Sequence, residues 1–193
     1  MSWNLPNILT LLRIAMIPVL GLMFLLPYPW SNVIAAAIFG VAAVTDWLDG
    51  YLARLWKQTS AFGAFLDPVA DKLIVAVALV AILTANANAW VAVPVAVIIG
   101  REITVSALRE WMAELGLRAS VAVGWLGKIK TTAQMVAILL MLYAEPIMGV
   151  SAFMVGFGLL YIAAVLTIYS MVLYLSAAWR AVNGTAEAEK NRG

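Results

Sequence analysis

Long apolar stretches limit the folds open to this chain more than any other feature. Spanning the hydrocarbon core of a bilayer as a helix takes roughly 20 residues. Six segments reach about that length, at residues 5–26, 32–55, 62–84, 90–110, 124–144 and 150–178. A backbone in lipid must satisfy its own hydrogen bonds, which helices of this length do. The sequence therefore predicts an all-α polytopic membrane protein with six transmembrane helices.

The composition supports this class and excludes others. Hydrophobic residues make up 65% of the 193 positions and charged residues 11%, against roughly 25% charged in a soluble domain. A soluble fold of this size could not bury so much apolar surface, and these figures also exclude a nucleic-acid-binding domain. The chain contains neither Cys nor His, so its chemistry must use carboxylates, hydroxyls, amines, guanidinium groups and water.

One domain covering residues 1–193 fits the length of the chain. The N-terminus lacks the features of a cleaved signal peptide, because no basic residue precedes the first apolar run and Arg13 lies inside it. Residues 181–193 form a polar tail that we expect to be mobile. Residues 106–117 are amphipathic, and we expect them to lie along the membrane interface.

The positions of the basic residues predict the orientation in the membrane. All 12 Lys and Arg fall on one side of the six-span path, and the opposite connections, near residues 27–31, 85–90 and 145–149, contain none. Because basic residues are retained on the cytoplasmic side, both termini and the charged connections are predicted to be cytoplasmic.

Four acidic residues lie inside predicted spans, where carboxylates are costly. Asp46 and Asp49 are three residues apart in the second span, and Asp67 and Asp71 are four apart in the third, so each pair shares one helix face. If the two spans are antiparallel neighbours, all four carboxylates meet in one pocket open to the cytoplasm. All-oxygen ligation there suits a hard divalent cation such as Mg²⁺ or Mn²⁺. Alternatively, the acids reach the interface or pair with Arg54 and Lys72.

Small and basic residues accompany the acids at helical spacing. Gly50 and Ala53 follow the first pair, Gly63 precedes the second, and Arg54 is a natural partner for phosphate. The eight positions Asp46, Asp49, Gly50, Ala53, Arg54, Gly63, Asp67 and Asp71 together resemble the signature of the CDP-alcohol phosphotransferases. That resemblance implies six transmembrane helices, a homodimer, and transfer of a phosphoalcohol from a CDP-alcohol to an acceptor hydroxyl with release of CMP.

The resemblance also implies roles for individual residues. Two divalent cations, Mg²⁺ or Mn²⁺, would be held by Asp46, Asp49, Asp67 and Asp71, and Asp71 would also be the general base. The expected donor-binding residues are Asn7, Thr10, Gly50, Arg54, Ser60 and Gly63.

Further segments are similar to bacterial members of the family that act on CDP-diacylglycerol and sn-glycerol 3-phosphate. They are residues 7–13, Arg101-Glu102, residues 107–116 and residues 127–134. This similarity implies a multi-pass protein of the bacterial inner membrane, in contact with membrane lipids, that makes a phosphatidylglycerol precursor. Serine, inositol phosphate or phosphatidylglycerol as acceptor remains an alternative within the family.

Basic residues of the fourth and fifth spans are candidates for binding a phosphorylated acceptor. They are Arg101, Arg109, Lys128 and Lys130, and Arg101 lies within an apolar run. The alternative is that they anchor helices to anionic headgroups. Lys128 and Lys130 are two residues apart and cannot point the same way from a helix. An ion-coupled transporter is the competing class of function, but its acids would be expected near the middle of the membrane.

Overall fold

The structure is a computed structural model that describes residues 5–24, 26–28, 30–56, 61–116 and 125–190. Within its helices, the side chains outside the described set are those of residues 5–7, 49–56, 61–62, 64, 125–126 and 184–190.

Six helices form the described chain, as the sequence predicts. They are α1 (Leu5–Met23), α2 (Ser31–Trp56), α3 (Ala61–Ala85), α4 (Ala89–Glu114), α5 (Trp125–Tyr143) and α6 (Ala152–Lys190). Four contain stretches long and apolar enough to cross a membrane, Ser31–Leu48, Phe65–Ala85, Ala89–Glu114 and Ala152–Asn183, and α1 contains a shorter one, Ile8–Met23. The chain is therefore a polytopic membrane protein.

A small β-hairpin departs from the all-α prediction. Strands β1 (Pro146–Ile147) and β2 (Val150–Ser151) pair antiparallel between α5 and α6. Met148 and Gly149 form the turn with φ of 51° and 82°. Positive φ at both central turn residues matches the right-handed twist of a hairpin, and the glycine adopts it without steric cost.

Two expected boundaries also differ from the structure. The amphipathic segment expected at residues 106–117 is not a separate element, because α4 continues without a break to Glu114 and ends before Gly116, which has φ 69°. Helix α6 continues to Lys190, through most of the polar tail. Helix-favouring residues such as Ala181 and Ala186 allow this extension beyond the apolar run.

Each helix contributes a fully buried apolar residue to one core. These residues are Leu20, Phe39, Leu79, Ile98, Ile138 and Leu160. Helix α1 packs against both α2 and α3, whereas the contact between α2 and α3 themselves is small. The sequence predicts that α2 and α3 face each other directly, but in the structure α1 lies between them. Side chains of α1 therefore lie beside the acidic residues.

Candidate active site

A cavity of about 830 Å³ opens among all six helices at the end of the bundle that carries the charged side chains. Its lining includes one polar or charged residue from each helix in turn: Arg13, Asp46, Asp71, Arg101, Lys130 and Tyr174. Arg13, Asp71 and Lys130 lie in the first half of α1, α3 and α5, Asp46 and Tyr174 lie in the second half of α2 and α6, and Arg101 lies at the middle of α4. Alternating chain direction therefore brings them to one level of the bundle, towards the end predicted to be cytoplasmic.

The first wall of the cavity, here called the carboxylate wall, is formed by Asp46 and Asp71 around Arg13. Arg13 Nη1 lies 3.0 Å from Asp46 Oδ1 and 2.5 Å from Asp71 Oδ1. The two carboxylate oxygens share this one nitrogen, so they are at most about 5.5 Å apart. Both aspartate side chains are 44% exposed while Arg13 is 1% exposed. The acids therefore face the cavity and the guanidinium lies behind them.

Asp67 is held by the same helix. Thr10 Oγ1 donates a hydrogen bond to Asp67 Oδ1 at 2.5 Å, and Thr10 and Arg13 are three residues apart on one face of α1. Gly63 is buried one turn before Asp67. One face of α1 thus contacts three of the four predicted acidic ligands.

The alternative prediction, that the acids pair with Lys72, differs from the contacts of the described residues. Its Nζ donates to Ser106 Oγ of α4, whereas Asp46 and Asp71 pair with Arg13. Among the described side chains, the cation beside the carboxylates is therefore Arg13, which the sequence analysis did not assign to the site. Its position inside an apolar run was a usable signal, because a charge at membrane depth usually has a partner.

Several predicted site residues lie outside the described residues. Ser60 is one, and the side chains of Asn7, Asp49, Gly50 and Arg54 are likewise outside the described set. Their predicted metal-binding and donor-binding roles stay predictions.

The described part of the carboxylate wall fits a hard cation by charge and donor type. Together with the neighbouring Asp67, the described contacts bring three carboxylates to one guanidinium and one neutral hydroxyl. Excess negative charge on oxygen donors is the environment that Mg²⁺ and Mn²⁺ require. The described side chains do not by themselves contain a group of three acids arranged to hold a metal, and Asp49 is the remaining predicted ligand.

The second wall, here called the basic wall, is formed by α4 and α5. Glu102 Oε1 accepts a hydrogen bond from Arg101 Nη1 at 2.8 Å and lies 3.5 Å from Lys130 Nζ. The side chains of Arg101 and Lys130 are 13% and 5% exposed, and Arg109 and Gln134 line the same cavity. A deeply placed group of cations of this kind suits an anionic ligand.

Arg101 also has an unused donor in the described structure. Its Nε is buried and has no hydrogen-bond partner among the described residues. Leaving such a donor unsatisfied costs about 1–3 kcal/mol. With Nη1 given to Glu102, Arg101 is only partly satisfied by the described residues.

The structure separates the two lysines of α5. Lys130 is buried and lines the cavity, whereas Lys128 is exposed and lines a different groove with Ile129, Val136 and Leu159. A spacing of two residues turns a helix by about 200°, so the two side chains leave on opposite sides. The predicted grouping of Lys128 with Arg101 and Arg109 is therefore not found.

Sequence reasoning missed several residues of the cavity. Glu102 follows Arg101 within an apolar run, and an acid at membrane depth was a signal in its own right. Ser170 and Tyr174 complete the lining from α6. Single hydroxyl groups in an apolar helix give no comparable signal, because they can satisfy themselves on the backbone, as Ser170 does on the Thr167 carbonyl.

Comparison with known proteins gives consistent results over most of the chain. Residues 3–182 match the family model described as CDP-alcohol phosphatidyltransferase. Proteins named CDP-diacylglycerol–glycerol-3-phosphate 3-phosphatidyltransferase are 54% identical in Salmonella choleraesuis (strain SC-B67), 57% in Shigella flexneri serotype 5b (strain 8401) and 56% in Escherichia coli (strain K12). Each similarity extends over 178 residues, 92% of this chain and 96% of the relative.

Proposed function

The chain belongs to the CDP-alcohol phosphatidyltransferase family, and we propose that it transfers the phosphatidyl group of CDP-diacylglycerol to sn-glycerol 3-phosphate. The products are phosphatidylglycerophosphate and CMP. Relatives that share more than half of its residues over nearly their whole length carry the name of this activity. The function is thus a step of phospholipid biosynthesis.

One observation carries this proposal beyond the relatives' names: a single cavity has the carboxylate wall on one side and the basic wall on the other. The donor and the acceptor both carry phosphate, but only the donor has a diphosphate and two acyl chains. The carboxylate wall would take the diphosphate with bound cations, while the basic wall would take the acceptor's phosphate directly. Two differently charged walls fit a reaction that joins two different phosphate compounds.

On the donor side, the residues that would hold two divalent cations are Asp46, Asp49, Asp67 and Asp71. When bound, Mg²⁺ or Mn²⁺ would neutralise the diphosphate and stabilise the charge that develops on the departing CMP. Arg13 and Thr10 keep three of these carboxylates in place from behind. Asn7, Thr10, Gly50, Arg54, Ser60 and Gly63 are the proposed donor-binding residues.

On the acceptor side, Arg101, Arg109 and Lys130 would hold the phosphate of glycerol 3-phosphate. Lys128 is not included, because it lines a different groove. The free primary hydroxyl then attacks the donor phosphorus that bears the diacylglycerol. A new P–O bond forms, the bond from that phosphorus to the oxygen bridging the diphosphate breaks, and CMP leaves. Asp71, which lines the cavity, would accept the hydroxyl proton on a carboxylate oxygen.

The membrane arrangement proposed is six crossings with both termini cytoplasmic. The position of every Lys and Arg on one side of the span path supports the orientation, and it places the cavity where water-soluble glycerol 3-phosphate is available. The proposed homodimer is supported by the family resemblance alone, and cross-linking in native membranes would test it.

An acceptor panel tests the proposed function. Purified protein is given CDP-diacylglycerol, Mg²⁺ or Mn²⁺, and in turn glycerol 3-phosphate, serine, inositol phosphate or phosphatidylglycerol, and CMP release is measured. We expect release with glycerol 3-phosphate and its loss in excess EDTA. A faster reaction with another acceptor would overturn the proposed acceptor, and an undiminished rate in EDTA would overturn the metal requirement.

A further inference from the structure

We infer that Glu102 is a positioning residue of the acceptor site: its carboxylate fixes Arg101 and Lys130 at the spacing that receives the acceptor's phosphate. The inference rests on the proposed function, because it concerns the basic wall to which that function assigns glycerol 3-phosphate. Glu102 itself is not assigned a contact with either substrate.

The two cations lie on helices that the cavity separates. No Cα atom of the described part of α4 comes within 8 Å of one in the described part of α5. Arg101 and Glu102 are neighbours on α4 and lie 2.8 Å apart, so it is the 3.5 Å pair from Glu102 to Lys130 that reaches across a gap that backbone packing does not close. Without the carboxylate, packing between α4 and α5 would not set the distance between the two cations.

The burial of Arg101 and Lys130 explains why an anion is needed between them. Lys130 and Arg101 are mostly removed from solvent, so water screens their mutual repulsion poorly. An anion placed between them offsets that repulsion and restrains two long, flexible side chains. The free protein thus holds both cations in place before the acceptor arrives.

Both cations keep donors for a ligand while Glu102 stays bound. A guanidinium has five N–H donors and an ammonium has three, and Glu102 Oε1 engages one nitrogen of each side chain. The acceptor can therefore bind these cations without displacing the carboxylate.

The charge that remains matches the ligand. The basic wall contains Arg101, Arg109 and Lys130 together with Glu102, which leaves an excess of two positive charges among these four side chains. A phosphate monoester carries close to two negative charges at neutral pH. Glu102 therefore reduces the charge of the wall to one that suits a dianion, while holding the donors in place.

The test is the dependence of CMP release on glycerol 3-phosphate at saturating CDP-diacylglycerol. Glu102→Ala removes the link, and we expect its KM for glycerol 3-phosphate to rise by about 10–100-fold, with kcat changed less than about threefold and the donor KM unchanged. Glu102→Gln keeps a carbonyl oxygen that can accept from both cations, so its KM should rise by less than about tenfold. Glu110→Ala, an exposed site on the same helix, should match wild type.

A second comparison separates positioning from a general structural role. Because Glu102 acts through its cations, Arg101→Ala combined with Glu102→Ala should raise the acceptor KM by clearly less than the product of the two single-variant effects. Loss of thermal stability and donor use together with acceptor use, or additive effects in the double variant, would overturn the inference.

The direction of the KM change distinguishes positioning by Glu102 from competition between its carboxylate and the acceptor. A lower KM in Glu102→Ala would mean that the carboxylate competes with the acceptor, and an unchanged KM would mean that it does nothing there; either result overturns the inference alone. Wild-type protein that releases no CMP with glycerol 3-phosphate would instead overturn the proposed function, and the inference with it.

Discussion

At the scale of single residues, the acidic cluster was predictable and its partner was not. The i,i+3 and i,i+4 spacings place Asp46 with Asp49 and Asp67 with Asp71 on shared helix faces. Spacing within a helix does not say which other helix lies opposite, so the contact of Arg13 with Asp46 and Asp71 could only come from the structure. Glu102 was overlooked for the same reason, since its partner Lys130 is 28 positions away.

Asp71→Asn tests the assignment of Asp71 as the proton acceptor. The amide keeps the size of the side chain and one oxygen for a cation, but it does not accept a proton in the same way. Turnover should fall by about 10²–10⁴-fold, measured as the single-turnover rate of CMP formation, while donor binding falls less than in Asp46→Asn. A variant that retained more than about a tenth of the wild-type rate would contradict the assignment.

At the scale of elements, the helical period predicted that Lys128 and Lys130 diverge but not which of them faces inward. The packing of α5 against α6 and α2 determines that Lys130 faces the cavity and Lys128 does not. The hairpin at residues 146–151 and the continuation of α4 to Glu114 were equally hard to predict. Both depend on local backbone conformation and helix continuity rather than on apolar periodicity, which was the main sequence signal.

The two lysines form a matched pair of variants. Lys130→Ala removes a buried cation that lines the cavity, so the KM for glycerol 3-phosphate should rise by roughly 10–150-fold, the loss of one charged hydrogen bond. Lys128→Ala removes an exposed cation from a separate groove and should change that KM by less than threefold. Equal effects in steady-state kinetics would place both lysines in the acceptor site.

Close packing of α5 and α6 depends on Gly156. A Cβ atom there would lie 2.8 Å from both the Ala137 carbonyl oxygen and Met141 Cγ. The carbonyl belongs to the backbone of α5, so it cannot move aside unless the helix shifts. Gly156→Ala should therefore destabilise the protein by about 1–3 kcal/mol and lower its thermal unfolding midpoint in detergent. Gly158→Ala meets nothing within 4 Å and should not lower it. A midpoint unchanged in Gly156→Ala would contradict the packing.

At the scale of the whole molecule, the sequence predicted a cytoplasmic pocket but not its extent. The six-helix count, the carboxylate pair of α2 and α3 at one end, and the candidate cations Arg101, Arg109 and Lys130 were all predicted. That these groups line one cavity of about 830 Å³ depends on how six helices pack, with α1 joining α2 and α3. Pairwise packing of this kind leaves no periodic signal in the sequence.

Cysteine labelling tests the orientation, because the chain contains no Cys. Single cysteines at Ala87 and Met148, both exposed in connections, should react with a membrane-impermeant maleimide added to the periplasmic side. Ala87 is preferred to Asn88, whose side chain caps α4. A cysteine at Asn183 should react only after permeabilisation. The reverse pattern would contradict the orientation and place the cavity at the periplasmic face.

The most direct test of the two-walled cavity is the response of Arg101→Ala to its two substrates. CMP release is measured against glycerol 3-phosphate at saturating CDP-diacylglycerol, and then with the substrates exchanged. Because Arg101 belongs to the basic wall, the KM for glycerol 3-phosphate should rise by roughly 10–150-fold while the KM for CDP-diacylglycerol stays within a factor of three. An unchanged dependence on glycerol 3-phosphate, or an equal loss for both substrates, would contradict the assignment of the two walls to two substrates.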